Sequence, residues 1–346
     1  MNIREIATLA ETSVATVSRV INNDDYVSDE TRKRVLEVIE STGYKPNLVG
    51  RALRSQRSGK ILVLLPSISN PYYSRVLQGV EHRASAFGYD TLACITHRDP
   101  ASETRYLDFL RTKQVDGVIG FTSSLSAEKI LKFATKYPYV QCGARTSGAG
   151  ICYTCIDNVA AAEEAIEYFI KTGHTRIAFV NGMFDRPYEQ DREVGYKNML
   201  LKYDIPFRKE YLLGCDYNYS SGYDSCKALM SLPEPPTAIF TSSDQTAAGV
   251  TKYLLKVGKT PGKDVDVIGF DGTYLSDMCT PAISSVDQPG YDMGKTSFDL
   301  LYERITDPKS IVKRVVMAHK ITHKETTRPL PDADRSSALK REERHI

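Results

Sequence analysis

Apolar residues in the first 45 positions recur at helical spacing: Ile3, Ile6, Ala7 and Ala10, then Val14, Val17 and Ile21, then Val35, Val38 and Ile39. Positions three and four apart share one face of a helix. Asn2, Ser13 and Ser28 stand just ahead of these runs, where a short polar side chain can satisfy the unpaired N–H groups of a first turn. The spacing predicts helices over roughly 3–10, 14–22 and 29–42. The gap between the first two is about three residues, the length of a helix-turn-helix turn.

A linker follows over 46–59, opened by Pro46 and containing LVGRALRS, a stretch too short to hold a helix alone. From Lys60 to about Ala318 the pattern changes. ILVLLP, TLACIT, GVIGF, YVQCG, RIAFVN, AIFTS and VDVIGF are short apolar runs of the kind that form buried parallel strands. They alternate with helical stretches at 74–87, 102–113, 159–172, 190–203, 243–257 and 290–305. Such alternation predicts an α/β fold with parallel sheets flanked by helices. The stretch is too long for one typical α/β lobe, so two lobes with a cleft between them are expected. The chain should pass between lobes near Asn158 and return near Pro281–Gln288. Residues 329–346 are polar, with mixed charge and no periodicity, and read as a loose tail.

Composition narrows the class only modestly. Hydrophobic residues are 41% and charged residues 25% of 346, an ordinary globular mix. No apolar run approaches the roughly 18 residues of a membrane span. The first residues lack the basic and then apolar regions of a secretory signal, so a cytoplasmic protein without a membrane partner is expected. Net charge is only +2, but its placement matters. Between Gly43 and Lys60 the charged residues are Lys45, Arg51, Arg54, Arg57 and Lys60, with no acid among them. A basic segment inside a near-neutral chain is an electrostatic footprint for nucleic acid.

The second helix carries the chemistry for reading DNA. In a helix-turn-helix, the start of this helix enters the major groove. Arg19 can pair with a guanine edge, and Val14 and Ala15 can meet thymine methyls. Thr16, Ser18 and Asn22 offer groups that suit phosphates. An ordinary solvated helix in a small bundle would show the same spacing.

No catalytic set or cofactor motif emerges. The six histidines are scattered without metal-ligand spacing, and there is no G-x-S-x-G, P-loop or strand-borne G-x-G-x-x-G. His174 reads as a capping residue in a helix-to-strand loop. Seven cysteines, an odd number, suit reduced thiols better than a disulfide framework. Cys152 and Cys155 have CxxC spacing, but in a strand positions three apart face opposite ways, so buried packing is expected rather than metal or redox chemistry.

The segment from Ile3 to Ser55 resembles the N-terminal headpiece and hinge of the LacI/GalR family. The resemblance is carried by Val14-Ala-Thr-Val-Ser-Arg-Val-Ile-Asn22, Val27-Ser-Asp-Glu-Thr-Arg32, and Gly43-Tyr-Lys-Pro-Asn47 with Ala52-Leu53 following, and it continues to about Thr327. Glu11 departs from the glycine often found at that turn, and Lys324 stands where an arginine is usual. The resemblance implies a bacterial transcription regulator, a repressor, with a periplasmic-binding-protein-like core. Val14 and Ala15 then match the base-specifying positions and Arg19 the base-contacting arginine; Asn47 joins the DNA-contacting set. Leu53 matches the leucine that wedges into the minor groove, where kinking offsets unstacking.

Ligands of two-lobe α/β proteins bind beyond the carboxyl ends of the strands. That rule selects Asn70-Pro-Tyr72-Tyr73 after the first strand, Asp185-Arg186 and then Arg192 after RIAFVN, Asp244 after AIFTS and Asp271 after VDVIGF. The resemblance implies the same pocket for Tyr72, Tyr73, Arg186, Arg192, Tyr217 and Asp271, with Gly272 departing from the residue usual after that aspartate. Asp244 serves either as a ligand acceptor or as a helix cap, and Tyr73 and Tyr217 either meet the ligand or pack the lobes. Arginines and aspartates among tyrosines suit a polyhydroxylated effector, a sugar or sugar derivative. The expected partners are pseudo-palindromic double-stranded operator DNA, the small effector and a second copy in a homodimer. The rivals are an exported sugar-binding protein, disfavoured by the N-terminal addition, and a sugar-modifying enzyme using Asp244 and Asp271.

Overall fold

A computed structural model describes residues 1–21, 24, 26–44, 57–121, 123–146, 150–183 and 185–331. The expected hinge contacts of Asn47 and Leu53, the role of Asn22 and the tail from 332 lie outside the described residues. Two compact units divide the chain, Met1–Ser58 and Gly59–Ile346.

The first unit is built from α1 (Ile3–Leu9), α2 (Val14–Ile21) and α3 (Asp29–Thr42). Each boundary has a local cause. The Asn2 side chain accepts the Arg4 and Glu5 N–H groups at 2.9 and 3.2 Å while Glu5 accepts the Asn2 N–H at 2.9 Å, a reciprocal cap. Ser13 accepts the Thr16 N–H at 3.1 Å at the start of α2. Gly43, at φ +61°, ends α3 in the left-handed conformation glycine tolerates best. Ile6, Ala7, Ala10, Val17, Val20, Val27 and Val35 form the core of this unit. The Arg34 Nε donates to the Ala10 carbonyl at 2.9 Å, tying α3 to the end of α1.

The second unit holds two six-stranded sheets. The first contains β1 (Lys60–Leu65), β2 (Asp90–Ile95), β3 (Gly117–Gly120), β4 (Tyr139–Cys142), β5 (Cys152–Ile156) and β11 (Arg314–Met317), in the order β11-β5-β4-β3-β1-β2 and all parallel. The second contains β6 (Ile177–Asn181), β7 (Leu212–Gly214), β8 (Ala238–Thr241), β9 (Asp266–Asp271), β10 (Ser284–Asp287) and β12 (Lys320–Thr322), in the order β12-β10-β9-β8-β6-β7. Only the β12 pairing is antiparallel. Buried runs such as Ile61–Leu65 and Val267–Phe270 reflect helices on both faces. In the first lobe the helices Pro71–Ala86 and Gly290–Thr306 cross where a Cβ on Gly79 would stand 2.0 Å from the Tyr291 carbonyl oxygen, so only glycine allows that approach.

The chain enters the second lobe after β5, at the helix Asn158–Lys171, and returns after β10, at the helix Gly290–Thr306. A third passage lies between Met317 and Lys320, where two residues join β11 of one sheet to β12 of the other. The expectation of two passages is therefore corrected to three. RVVM and KIT are too short and too half-exposed to announce themselves as strands in separate sheets.

Three helices begin earlier than their apolar spacing indicates, at Pro71, Pro100 and Pro187. Each proline is the first helical residue, where its missing N–H has no helical partner to lose. This shift places Tyr72, Tyr73 and Tyr188 in rigid first turns at the lobe junction.

Candidate functional site

Two surfaces stand out. On α2, Val17 and Val20 are buried, while Val14, Ala15 and Arg19 are exposed and Ser18 is half-buried on the opposite side. The spacing 14, 15, 18, 19 puts these four on one helix face. Thr16 is half-buried beside them, its hydroxyl 2.9 Å from that of Ser13.

The second surface is the cleft between the two sheets of the core. It encloses about 410 Å³ of space, part of it open to solvent. The first lobe contributes Asn70, Tyr72, Tyr73, Phe121, Cys142 and Gly143; the second contributes Tyr188, Arg192, Tyr217, Ser242 and Asp271, with Gln288 at the return passage. All lie at or just beyond the carboxyl ends of strands. Tyr72, Tyr73 and Phe121 pack edge to face, with ring centroids 5.2 to 6.4 Å apart.

Asp271 ends β9 with φ +102°, a backbone conformation an L-residue rarely adopts. Its two oxygens accept N–H bonds from Asn70 of the first lobe and from Gln288, each at 2.8 Å. Burial raises its carboxyl above the ordinary range, and the bonds from Asn70 and Gln288 together with the Arg192 charge offset part of that rise.

Arg192 is buried above the Phe270 ring, its guanidinium carbon 3.4 Å from the ring centroid. Its Nε donates to the Asn158 side chain at 2.8 Å and one terminal nitrogen to the Ser242 carbonyl at 3.1 Å. The buried Ser242 hydroxyl in the cavity wall has no partner among the described residues.

Arg98 reaches from the first lobe to within 5.1 Å of the Tyr217 ring centroid in the second. Burial works to lower the Arg98 pKa, but the neighbouring Tyr188, Tyr73, Tyr217 and Glu189 raise it overall. Tyr217 donates its hydroxyl to buried Glu189 at 2.6 Å. Desolvation pushes the Tyr73 and Tyr217 phenols well up, so both are neutral donors at ordinary pH.

The structure brings Tyr72, Tyr73, Arg192, Tyr217 and Asp271 into one cavity, and leaves Arg186 and Asp244 out of its wall. Arg186 spans the lobes instead, donating to the Ser123 carbonyl at 2.8 Å. Asp244 is buried beneath the Asp271 turn and does not cap its helix; Ser243 does. Its carboxylate accepts the Thr273 N–H at 2.6 Å, the Thr273 hydroxyl at 2.8 Å and the Ser285 hydroxyl. Burial raises its pKa, and the Asp271 charge adds to the rise.

Sequence reasoning picked out Asn70 beside Tyr72 without giving it a role, and missed Arg98, Phe121, Tyr188, Ser242 and Gln288. The strand-end rule applied after β2 and β3 points to the neighbourhood of Arg98 and Phe121, but Asn70 and Gln288 matter through the partner each meets only in the folded chain. His174 is a buried bridge rather than a cap, with Nδ1 2.9 Å from the Thr237 hydroxyl and Nε2 3.2 Å from Asp266. Cys152 and Cys155 are free thiols, as are the other five cysteines. Among the described residues, no group of three or more His, Cys, Asp or Glu side chains is placed to hold a metal, and no helix is long and apolar enough to cross a membrane.

Comparison with known proteins places these features in a family. Residues 2–47 match the model for bacterial regulatory proteins of the lacI family, and residues 58–327 match the model for periplasmic binding proteins and the sugar-binding domain of the LacI family. Catabolite control protein A of Priestia megaterium is 34% identical over 330 residues, covering 95% of this chain and 99% of that one. The solved complex of the transcriptional regulator CelR with cellobiose is 28% identical, with a TM-score of 0.71 over 94% of this chain and 99% of that one. The lac repressor dimer bound to operator and the anti-inducer ONPF, at 21% identity, shares the fold with a TM-score of 0.86 over 95% of this chain and 99% of that one. With its helix-turn-helix unit, its two-sheet ligand-binding core and both family matches, this chain belongs to the LacI family of DNA-binding transcription regulators.

Proposed function

We propose that this regulator is a repressor controlled by a neutral sugar or sugar derivative held in the interlobe cleft. One observation carries the choice of effector. The Arg192 guanidinium and the Asp271 carboxylate share one cavity, and neutral partners hold each of them: Asn158 and the Ser242 carbonyl for Arg192, Asn70 and Gln288 for Asp271. A strong donor and a strong acceptor held apart suit hydroxyl groups, which donate to one and accept from the other. The unpartnered Ser242 hydroxyl adds a third contact, and the tyrosine rings supply the apolar faces a pyranose needs.

In this reading residues 1–45 are the DNA-binding headpiece, 46–59 the hinge, 60–328 the effector-binding and dimerisation core, and 329–346 a tail. Val14, Ala15 and Arg19 read bases, Thr16, Ser18, Asn22 and Asn47 position the backbone, and Leu53 wedges into the minor groove. Two headpieces of a homodimer meet a pseudo-palindromic operator in the cytoplasm. The effector acts by binding the two lobe arrangements with different affinity, the condition for any allosteric ligand. The chain is a regulator and not an enzyme, as its family relatives are.

A thermal-shift screen of the purified protein against monosaccharides, disaccharides, sugar phosphates and nucleosides tests the effector class. A ligand at about 100 times its dissociation constant adds roughly 2.7 kcal/mol of stability. The expected result is a shift with an uncharged sugar that Asp271→Ala abolishes while DNA binding persists. A response confined to nucleosides or phosphates, or one that survives Asp271→Ala, contradicts this assignment.

A further inference from the structure

A second cavity, separate from the effector cleft, lies beyond the partition made by Tyr188, Asn158 and the backbone at Gly143 and Ala144. It encloses about 450 Å³ of space, part of it open to solvent. The first lobe supplies Arg145 after β4, Tyr153 and Cys155 of β5 and Val316 of β11. Asp157 stands at the first passage between lobes, and Asp191 comes from the helix Pro187–Lys202 of the second lobe.

Charge in this cavity does not balance. Arg145 donates to one Asp191 oxygen across the lobes at 2.8 Å. One Asp157 oxygen accepts the Ala160 N–H at 3.0 Å, and Asp157 has no ion-pair partner among the described residues. Two carboxylates against one guanidinium leave a negative charge over, in a chain whose net charge is positive. Each carboxylate also keeps one oxygen without a protein partner among the described residues.

Cys155 is an independent sign that the cavity holds something. Its thiol is free, only 5% exposed, and without a hydrogen-bond partner among the described residues. Burial pushes the thiol up to about 11; the Arg145 charge opposes that rise, while Asp157 and Asp191 add to it. A neutral, buried and unpartnered thiol therefore lies beside all three charged side chains of the cavity.

We propose that this cavity is a second ligand site, distinct from the effector cleft, for a small organic amine bearing a primary ammonium group. The ammonium donates to the free oxygens of Asp157 and Asp191, and the Tyr153 and Tyr188 rings of the wall suit a positive charge. An anion meets the surplus carboxylate, and an uncharged polyol gains nothing from it. Asn158 lines this cavity and accepts the Arg192 Nε at 2.8 Å, which gives the amine a route to the effector cleft. The assignment does not depend on the identity of the effector.

Calorimetric titration of the full chain with putrescine and ethanolamine tests it, with butanediol as the uncharged control and succinate as the anionic one. Asp157→Asn keeps an oxygen to cap Ala160, and Asp191→Asn keeps an acceptor for Arg145, so each removes charge while retaining the local bonds. The expected result is an amine that binds at one site per chain, with neither control binding, and a loss of about tenfold in affinity in each asparagine variant. Arg145→Ala removes the opposing cation from an exposed position and should tighten amine binding about two- to fivefold. Failure of both amines to bind overturns the proposal. So does butanediol or succinate binding as tightly as the amines, amine binding that both asparagine variants retain in full, or amine binding that Arg145→Ala weakens.

Discussion

At residue scale, Glu11 shows how a single departure in sequence becomes a physical prediction. It sits in the turn between α1 and α2 at φ +48°, where its Cβ is strained. The left-handed conformation costs an L-residue about 1–2 kcal/mol, and glycine gives back part of that in unfolded-state entropy. Glu11→Gly should therefore stabilise the first unit by roughly 0.5–1 kcal/mol. Hydrogen exchange of the Val17, Val20 and Val35 amides in the full chain reads this as a few-fold rise in protection. Unchanged or faster exchange would mean that Glu11 has contacts offsetting the strain. The same scale explains why Arg192 and Asp271 were legible in advance. Each follows a recognisable apolar strand: Asp271 ends β9, and Arg192 lies in the helix that follows β6, on the side of the sheet where α/β proteins place ligands.

At element scale, the buried turn Asp271–Gly272–Thr273 joins two acids that sequence spacing treats as one kind. Asp271 points into the cleft, whereas Asp244 anchors the turn from below through Thr273 and Ser285. Asn70, Gln288 and Arg192 are the groups around Asp271 that offset the burial of its charge. Both carboxyls are raised above their unfolded values, so their share of stability is fully present at acid pH below the ordinary carboxylate range. That share is lost as pH rises toward neutrality through the raised values. Urea unfolding between pH 4.5 and 7.5, roughly that window, should show this decline, and Asp244→Asn should flatten it whatever its own stability. An equally steep decline in the variant would assign the slope to other groups. Helix starts belong to this scale as well. Pro71, Pro100 and Pro187 look like breaks in an apolar pattern, yet each opens a helix, because an N-terminal turn makes no use of the missing N–H.

At the scale of the whole core, polar bonds span the lobe junction. Asn70 meets Asp271, Gln245 donates to the Ser69 carbonyl, Arg186 to the Ser123 carbonyl, and Arg75 to the Gly272 carbonyl, at 2.8 to 3.2 Å. Water can replace such bonds when the lobes part, so the closed arrangement is favoured only modestly. On this geometry Arg186 is expected to act through closure rather than through contact with the effector. Arg186→Ala should weaken effector binding about two- to fivefold, the effect of one hydrogen bond of roughly 0.5–1 kcal/mol. Stopped-flow dissociation should carry most of the change. A loss of a hundredfold would instead put Arg186 on the effector itself.

The sequence by itself determined the three headpiece helices, the alternating α/β core, the family and the charged residues at the strand ends. Those features are local: 3.6-residue periodicity, short apolar runs and capping residues act within a few positions of one another. Tertiary structure alone decided which strand-end residues share a cavity, because Asn70 and Asp271 are 201 positions apart in the chain and meet only when two sheets face each other. It decided that Asp244 supports a turn while Asp271 faces the cleft, since burial and partners, not residue type, separate the two acids. It also decided the third passage between lobes, because RVVM and KIT become strands only through the edges they pair with, β5 in one sheet and β10 in the other.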